Sequence, residues 1–296
     1  MASTPEIACV LSAAVLLLVA IAAVAHATWN LSIKAAGTSG TRFLWLTFVV
    51  ATIVVAPLGL TSLVQVGSRM PVLLLLALGS GILQITYFLI LQRGYRLGDV
   101  SIVYPLARGS GPLLAVVFAI VLFHERPGVL GLVGAVVVVA GVVVIGLAGG
   151  RGRFRANRLG IVYGLLVGVV IAAYTLWDAN AVVQQRLPLL GYFWITVIVQ
   201  LIAFAPFALR RPQFTVALAK QHWAAVLVVG ILSPLAYVLI LFAFTLAPVA
   251  LVAPAREVSV VLVALGGWLL FREPHPVQRI IGAAVVLGGV ALLAIG

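Results

Sequence analysis

Two arginines stand where this sequence otherwise admits almost no charge. Arg108 lies in YPLARGSGPLLAVVFAIVLF and Arg256 in APAREVSVVLVALGGWLLF. A guanidinium stays charged and offers five N–H donors in a fixed fork, the geometry that grips a carboxylate, phosphate or phosphonate. Deep in an apolar helix such a charge costs about 2.5–3.5 kcal/mol, so each arginine must face a partner or a watery cavity. Other polar groups recur at helical spacing. His26 and Asn30 are one turn apart, as are Tyr174 and Asp178, so each pair shares a helix face. Tyr104 precedes Arg108 by one turn, and Ser259 follows Arg256 closely. With Trp29, Trp177, Tyr87 beside Gln84, and Tyr237 beside Ser233, these form the candidate substrate-binding set. Asp178 and Glu257 are the candidates for carrying a coupling proton, a task suited to carboxylates withdrawn from water. Pro105 and Pro112 bracket Arg108, and Pro254 stands just before Arg256. Each removes a backbone donor and frees a carbonyl, which predicts kinked or broken helices beside both arginines.

A packing interpretation competes with this one. Arg108 and Arg256 paired with Asp178 and Glu257 would make a net-neutral polar core. Trp29, Trp177 and the tyrosines also suit packing or interfacial anchoring. Glu125 and Glu273, at span ends beside basic residues, suit capping or loop roles.

The elements that must position these residues follow from composition. The chain is 64% hydrophobic and 8% charged, against about 25% charged in soluble domains. It cannot cover a water-facing surface and is an integral membrane protein. The formal charge of +12 does not make a nucleic-acid groove, which needs clustered charge on one soluble face. Here the basic residues sit singly or in short runs between apolar segments, as they do in cytoplasmic loops. The single cysteine, Cys9, excludes an internal disulfide and a cysteine metal cluster. No metal-ligand spacing, phosphate loop or catalytic serine–histidine constellation is present, so neither a cofactor nor an enzyme is expected. Ala25-His26-Ala27 mimics a signal-cleavage site. Glu6, the lack of a basic start and the long apolar run argue instead for a retained first span.

Spanning takes about 20 apolar residues. Ten candidates follow, at roughly 8–33, 43–65, 71–92, 99–122, 128–148, 159–182, 190–209, 222–245, 249–270 and 277–295. The expected fold is an all-α bundle of ten transmembrane helices, since backbone in lipid must satisfy its own hydrogen bonds. An even number places both termini on one side. Of the 18 basic residues, thirteen fall in loops opposite the termini, including Arg93, Arg96, Arg151, Arg153, Arg155 and Arg158. Only Arg69, Arg126 and Arg186 share the terminal side. Basic loops stay in the cytoplasm, which predicts both termini outside.

The sequence also matches itself at an offset of 148 residues. Trp29 falls on Trp177, Ala107-Arg108 on Ala255-Arg256, Leu122-Phe123 on Leu270-Phe271, and Glu125 on Glu273. Gly134-Ala135 and Gly141-Val142 fall on Gly282-Ala283 and Gly289-Val290. Two repeats result, 1–150 and 151–296, joined by the basic linker RGRFRANR. Each holds five spans, an odd number, so the second enters the bilayer from the opposite face. Inverted halves are a hallmark of secondary transporters, whose substrate site lies near the midplane between them. Both arginines fall near that depth; Arg108 is about nine residues, roughly 14 Å, into its span. Gly160, Gly164 and Gly168 form a small-residue stripe suited to close helix contact.

The segment LGDVSIVYPLARGSGPLLAVVFAIVLFHERPGVLGLVGAVVVVAGVVV and its copy PVALVAPAREVSVVLVALGGWLLFREPHPVQRIIGAAVVLGGVALL resemble the EamA-type domain of the drug/metabolite transporter superfamily. The shared marks are an apolar span ending in Glu, a Pro or turn, and a Gly-rich span. The Trp29-Asn30 ending of the first span resembles the family's pattern too. The resemblance implies a ten-helix inverted-repeat bundle with a central cavity that opens alternately to each side. It also implies transport of small metabolites, often export, by exchange or ion coupling. Two departures stand out. The second copy has no equivalent of Pro112, and members of the family usually have both termini cytoplasmic, against the charge count here. The expectation is a plasma-membrane secondary transporter for a small polar metabolite, anionic or zwitterionic, with the substrate and the lipid bilayer as its partners. The competing expectation is a non-transporting membrane partner or sensor protein that binds a small ligand. An intramembrane enzyme would have to rest on Asp178 with His26.

Overall fold

The computed structural model describes residues 11–38, 40–64, 66–146, 158–272 and 276–295. Glu6, Cys9, Glu273 and linker residues 151–157 lie outside them. Ten apolar helices long enough to cross a membrane are present among the described residues. Uninterrupted apolar runs make helices here because only a helix bonds every backbone group within its own segment. The first repeat supplies α1 (Ala13–Ala36), α2 (Thr41–Leu63), α3 (Met70–Leu97), α4 (Val100–Phe123) and α5 (Val129–Gly146). The second supplies α6 (Arg158–Ala179), α7 (Leu189–Leu209), α8 (Pro212–Gln221), α9 (Trp223–Leu246), α10 (Val249–Ala255), α11 (Val258–Phe271) and α12 (Pro276–Ile295). α10 and α11 together make the ninth span. α8 is an addition to the expected ten. It has 10 residues, too few to cross, and begins at Pro212, whose missing N–H costs nothing in a first turn.

Local capping fixes several ends. The Ser12 side chain accepts from Val15 N at 3.3 Å to start α1. Gly37, at φ 61°, ends that helix with its N–H bonded to Lys34 O, a left-handed position where glycine carries no Cβ penalty. The repeat shows in the backbone itself. His124 follows α4 at φ 55°, and its equivalent Arg272 follows α11 at φ 53°.

Packing obeys the same offset. α4 lies on α6, and its counterpart α11 lies on α1; α3 lies on α6, as α9 does on α1. α2 packs on α7 and α5 on α12, each with its own equivalent. The α5–α12 seam is built from the four aligned glycines. A Cβ on Gly134 would stand 2.8 Å from Gly289 O, and one on Gly141 2.8 Å from Gly282 O. These helices touch backbone to backbone, which the absence of side chains permits. The stripe on α6 does similar work against α4. A Cβ on Gly164 would lie 2.8 Å from Leu106 Cβ, and one on Gly168 would collide with Ser110.

The helix breaks differ from expectation. α4 runs continuously through Pro105 and Pro112, so neither proline breaks it. Each removes a single intrahelical bond, and the rest of the ladder continues. The interruption falls in the copy with the single proline. After Pro254, Glu257 N bonds to Pro254 O (3.0 Å), Ser259 N to Arg256 O (3.2 Å) and Val260 N to Glu257 O (2.9 Å). This tight i→i−3 turn separates α10 from α11 and carries Arg256 and Glu257.

Candidate functional site

α1, α2, α3, α4, α6, α7, α9 and the α10–α11 turn surround a cavity of about 190 Å³. Both arginines line it. Their side chains are 16% (Arg108) and 11% (Arg256) exposed, and Glu257 between them is 1% exposed. Glu257 Oε1 lies 3.6 Å from Arg108 Nη1 and 3.5 Å from Arg256 Nε. Arg108 Nη2 reaches His26 Nε2 at 3.2 Å. Arginine has only donors, so His26 Nε2 accepts in that contact. Arg108 also stands 5.8 Å from the Tyr104 ring centroid, and Arg256 Nη2 donates to Thr175 Oγ1 at 3.3 Å. The His26 ring meets Trp29 edge-on at 4.8 Å. Trp29 Nε1 and Arg256 Nε are buried donors without a hydrogen-bond partner among the described residues, and Glu257 Oε2 is a buried acceptor in the same state. Buried polar atoms are rarely left so; Trp29 and Arg256 line the cavity, and Glu257 stands against its two arginines.

The other carboxylate is held differently. Asp178 is fully buried and makes no ion pair with either arginine among the described residues. Tyr192 OH donates to its Oδ1 at 2.6 Å, and Tyr237 OH and Gln84 Nε2 (3.3 Å) both donate to its Oδ2. Gln84 Oε1 in turn accepts from Gln200 Nε2 at 2.7 Å. Gln84, Gln200 and Tyr237 line the cavity while Asp178 lies behind them. The neutral core of two arginines and two carboxylates is therefore not what forms. Glu257 alone faces both guanidiniums, leaving that end of the cavity with one net positive charge.

The expected set divides on inspection. His26, Trp29, Tyr87, Arg108, Tyr174, Tyr237 and Arg256 come together around the cavity. Tyr104 stands beside Arg108 without lining it. Asn30 turns back on its own helix, donating to His26 O at 2.8 Å. Trp177 is the clear departure from expectation. It is 37% exposed on the outside of the bundle, and its Nε1 donates to Leu76 O at 2.8 Å. Its ring covers Gly79, where a Cβ would meet it. The equivalent position on α1 carries Trp29 into the cavity lining, so the two tryptophans part although their helices correspond. Sequence reasoning passed over Gln200, Thr175 and the Phe48, Phe88 and Phe193 wall. A lone glutamine inside the otherwise apolar run of α7 was the available signal.

Away from the cavity, Glu125 grips the start of α10. Its two carboxylate oxygens accept from Val249 N and Ala250 N, each at 2.8 Å. The helix N-terminus presents unpaired N–H groups that favour a carboxylate. Burial nevertheless pushes the Glu125 carboxyl up from its usual range, the two backbone N–H groups pulling the other way.

Comparison with known proteins adds a family. The EamA-like transporter family matches twice, over residues 13–147 and 158–295. This chain belongs to the EamA-like transporter family. It is thereby a member of the drug/metabolite transporter superfamily, a multi-pass membrane protein of transporter type built from two EamA repeats. A solved structure titled "Crystal structure of protein" is similar at 20% identity and TM-score 0.75, over 95% of this chain and 96% of that one. At that identity the likeness supports the EamA fold alone. No curated protein matches the sequence.

Proposed function

We propose that this EamA-family protein is a secondary transporter of the plasma membrane. It moves a small organic anion or zwitterion by alternating access, with the halves 1–150 and 151–296 rocking about the cavity. The observation that carries this is the meeting of Arg108 and Arg256, from oppositely entering halves, at one end of one partly solvated cavity. Unpartnered donors there, Trp29 Nε1 and Arg256 Nε, call for an acceptor-rich ligand. Tyr87, Tyr174 and Tyr237 shape the walls, and Tyr104 supports Arg108. The candidate for a coupling proton is Asp178, fully buried behind the cavity; Glu257, the other carboxylate considered for that task, is in contact with both arginines. The basic loops favour a chain with both termini outside.

The test is uptake into liposomes containing the purified protein, using radiolabelled amino acids, organic acids and phosphonates with and without a pH gradient. Arg108→Ala and Arg256→Ala should fold, by thermal unfolding in detergent, but fail to accumulate substrate. Undiminished uptake by both variants rejects the anion site. Ligand binding without movement into sealed vesicles replaces the transporter with a sensor.

A further inference from the structure

The arginine end carries its own anion, and that anion bears on what else can enter. Glu257 Oε1 is shared between Arg108 Nη1 and Arg256 Nε at 3.6 and 3.5 Å. A structural arginine–carboxylate pair closes to about 2.7–2.9 Å and is often bidentate. Here neither contact is a hydrogen bond: 3.6 Å is too long for one, and Arg256 Nε has no hydrogen-bond partner among the described residues, as Glu257 Oε2 has none. The guanidiniums hydrogen-bond elsewhere, Arg108 to His26 and Arg256 to Thr175. Glu257 thus acts on them through charge and leaves forks unfilled. Asp178 does not alter the count, since its oxygens take Tyr192, Tyr237 and Gln84 and it makes no ion pair with either arginine among the described residues.

We propose that Glu257 is the specificity-determining residue of this site: by neutralising one of the two guanidiniums, it limits the ligand to a single negative charge at the arginine end. The inference rests on the anion-cavity reading above and deepens it. A monoanion brings Arg108, Arg256 and Glu257 to electrical balance. A dianion leaves an uncompensated negative charge beside a carboxylate that is 1% exposed, where charge is poorly screened. Removing the Glu257 charge should therefore favour the second charge on the ligand.

Acid–amide pairs isolate this term, because replacing one carboxylate by a carboxamide changes charge with little change of shape. The probes are succinate against succinamate and phthalate against phthalamate, with affinity read from ligand-induced thermal stabilisation of the purified protein. The wild type should bind each monoamide at least ten-fold more tightly than its diacid. Glu257→Gln should shift that ratio at least ten-fold toward the diacid, and Glu257→Asp, which keeps the charge, should retain the wild-type order. An unchanged ratio in Glu257→Gln, or a wild-type preference for the diacids, overturns the proposal. The wild-type order decides alone should Glu257→Gln fail to fold. Binding of all four probes by Arg108→Ala and Arg256→Ala as by wild type, or by no protein at all, overturns the anion cavity itself.

Discussion

The two five-helix copies bring equivalent arginines to the cavity, and unlike companions with them. From the first copy come Arg108 on a continuous α4, with His26 and Trp29 from α1. From the second come Arg256 and Glu257 on the tight turn between α10 and α11, with Tyr174 and Thr175 from α6. Equivalent positions have parted ways. Trp29 lines the cavity while Trp177 lies on the outside. Asn30 bonds its own helix, whereas Asp178 gathers Tyr192, Tyr237 and Gln84. The backbone keeps the symmetry, down to the paired φ of His124 and Arg272 and the crossed glycines of α5 and α12. Helix packing needs matched surfaces in both halves, so the scaffold stays symmetric. A ligand has distinct ends, so the lining need not.

The largest effect should come from the symmetric pair. Arg108→Ala and Arg256→Ala should each lower anion uptake about 100-fold, roughly 3 kcal/mol, the scale for truncating one member of a buried charge pair. A loss confined to one of them would mean that only the backbone, and not the binding, is shared between the halves.

Asp178 and Asn30 sharpen the comparison next. Asp178→Ala strands two tyrosine hydroxyls in the interior, at about 1–3 kcal/mol each. Thermal unfolding in detergent should show it clearly less stable than Asn30→Ala, which loses one bond to its own helix. Equal effects would contradict the division of roles.

Glu125→Gln removes a charged clamp on α10 and should cost about 1–2 kcal/mol by the same assay. The sign of its pH dependence follows from burial. A carboxyl raised in the folded protein contributes stability at acid pH, and that contribution is lost as pH rises through the raised value. The glutamine variant should lack this slope between wild-type curves taken at acid and neutral pH.

The smallest effects separate the tryptophans. Trp29→Phe, which deletes an unpartnered donor in the cavity, should raise the half-saturating substrate concentration about ten-fold. Trp177→Phe should leave it within about two-fold. Equal shifts would place both rings at the ligand.

The sequence was informative where charge is forbidden and silent where every face is alike. Arg108 and Arg256 stood out because lipid excludes guanidinium groups, and the ten spans and the 148-residue offset followed from the same exclusion. Rotation of a span about its axis left little trace, since lipid and helix neighbours are equally apolar, and Tyr174 and Asp178 orient one face of α6 without saying where Trp177 beside them points. Hence Trp177 was expected inward by analogy with Trp29. The competing packing interpretation pairs Asp178 with arginine; a buried carboxylate calls for donors, and tyrosine hydroxyls meet that need instead. Glu125, at a span end, suits a capping or loop role by sequence, and the helix start it bonds lies 124 residues further along the chain. Proline positions suggested breaks on both sides of the axis; only neighbouring packing decides which helix gives way.

The central claim concerns one site shared by two halves, and counting measures it. Equilibrium binding of radiolabelled succinamate to the purified protein should saturate at one molecule per chain, with that site lost in Arg108→Ala and lost equally in Arg256→Ala. Two molecules per chain, each abolished by only one of the substitutions, would contradict the account.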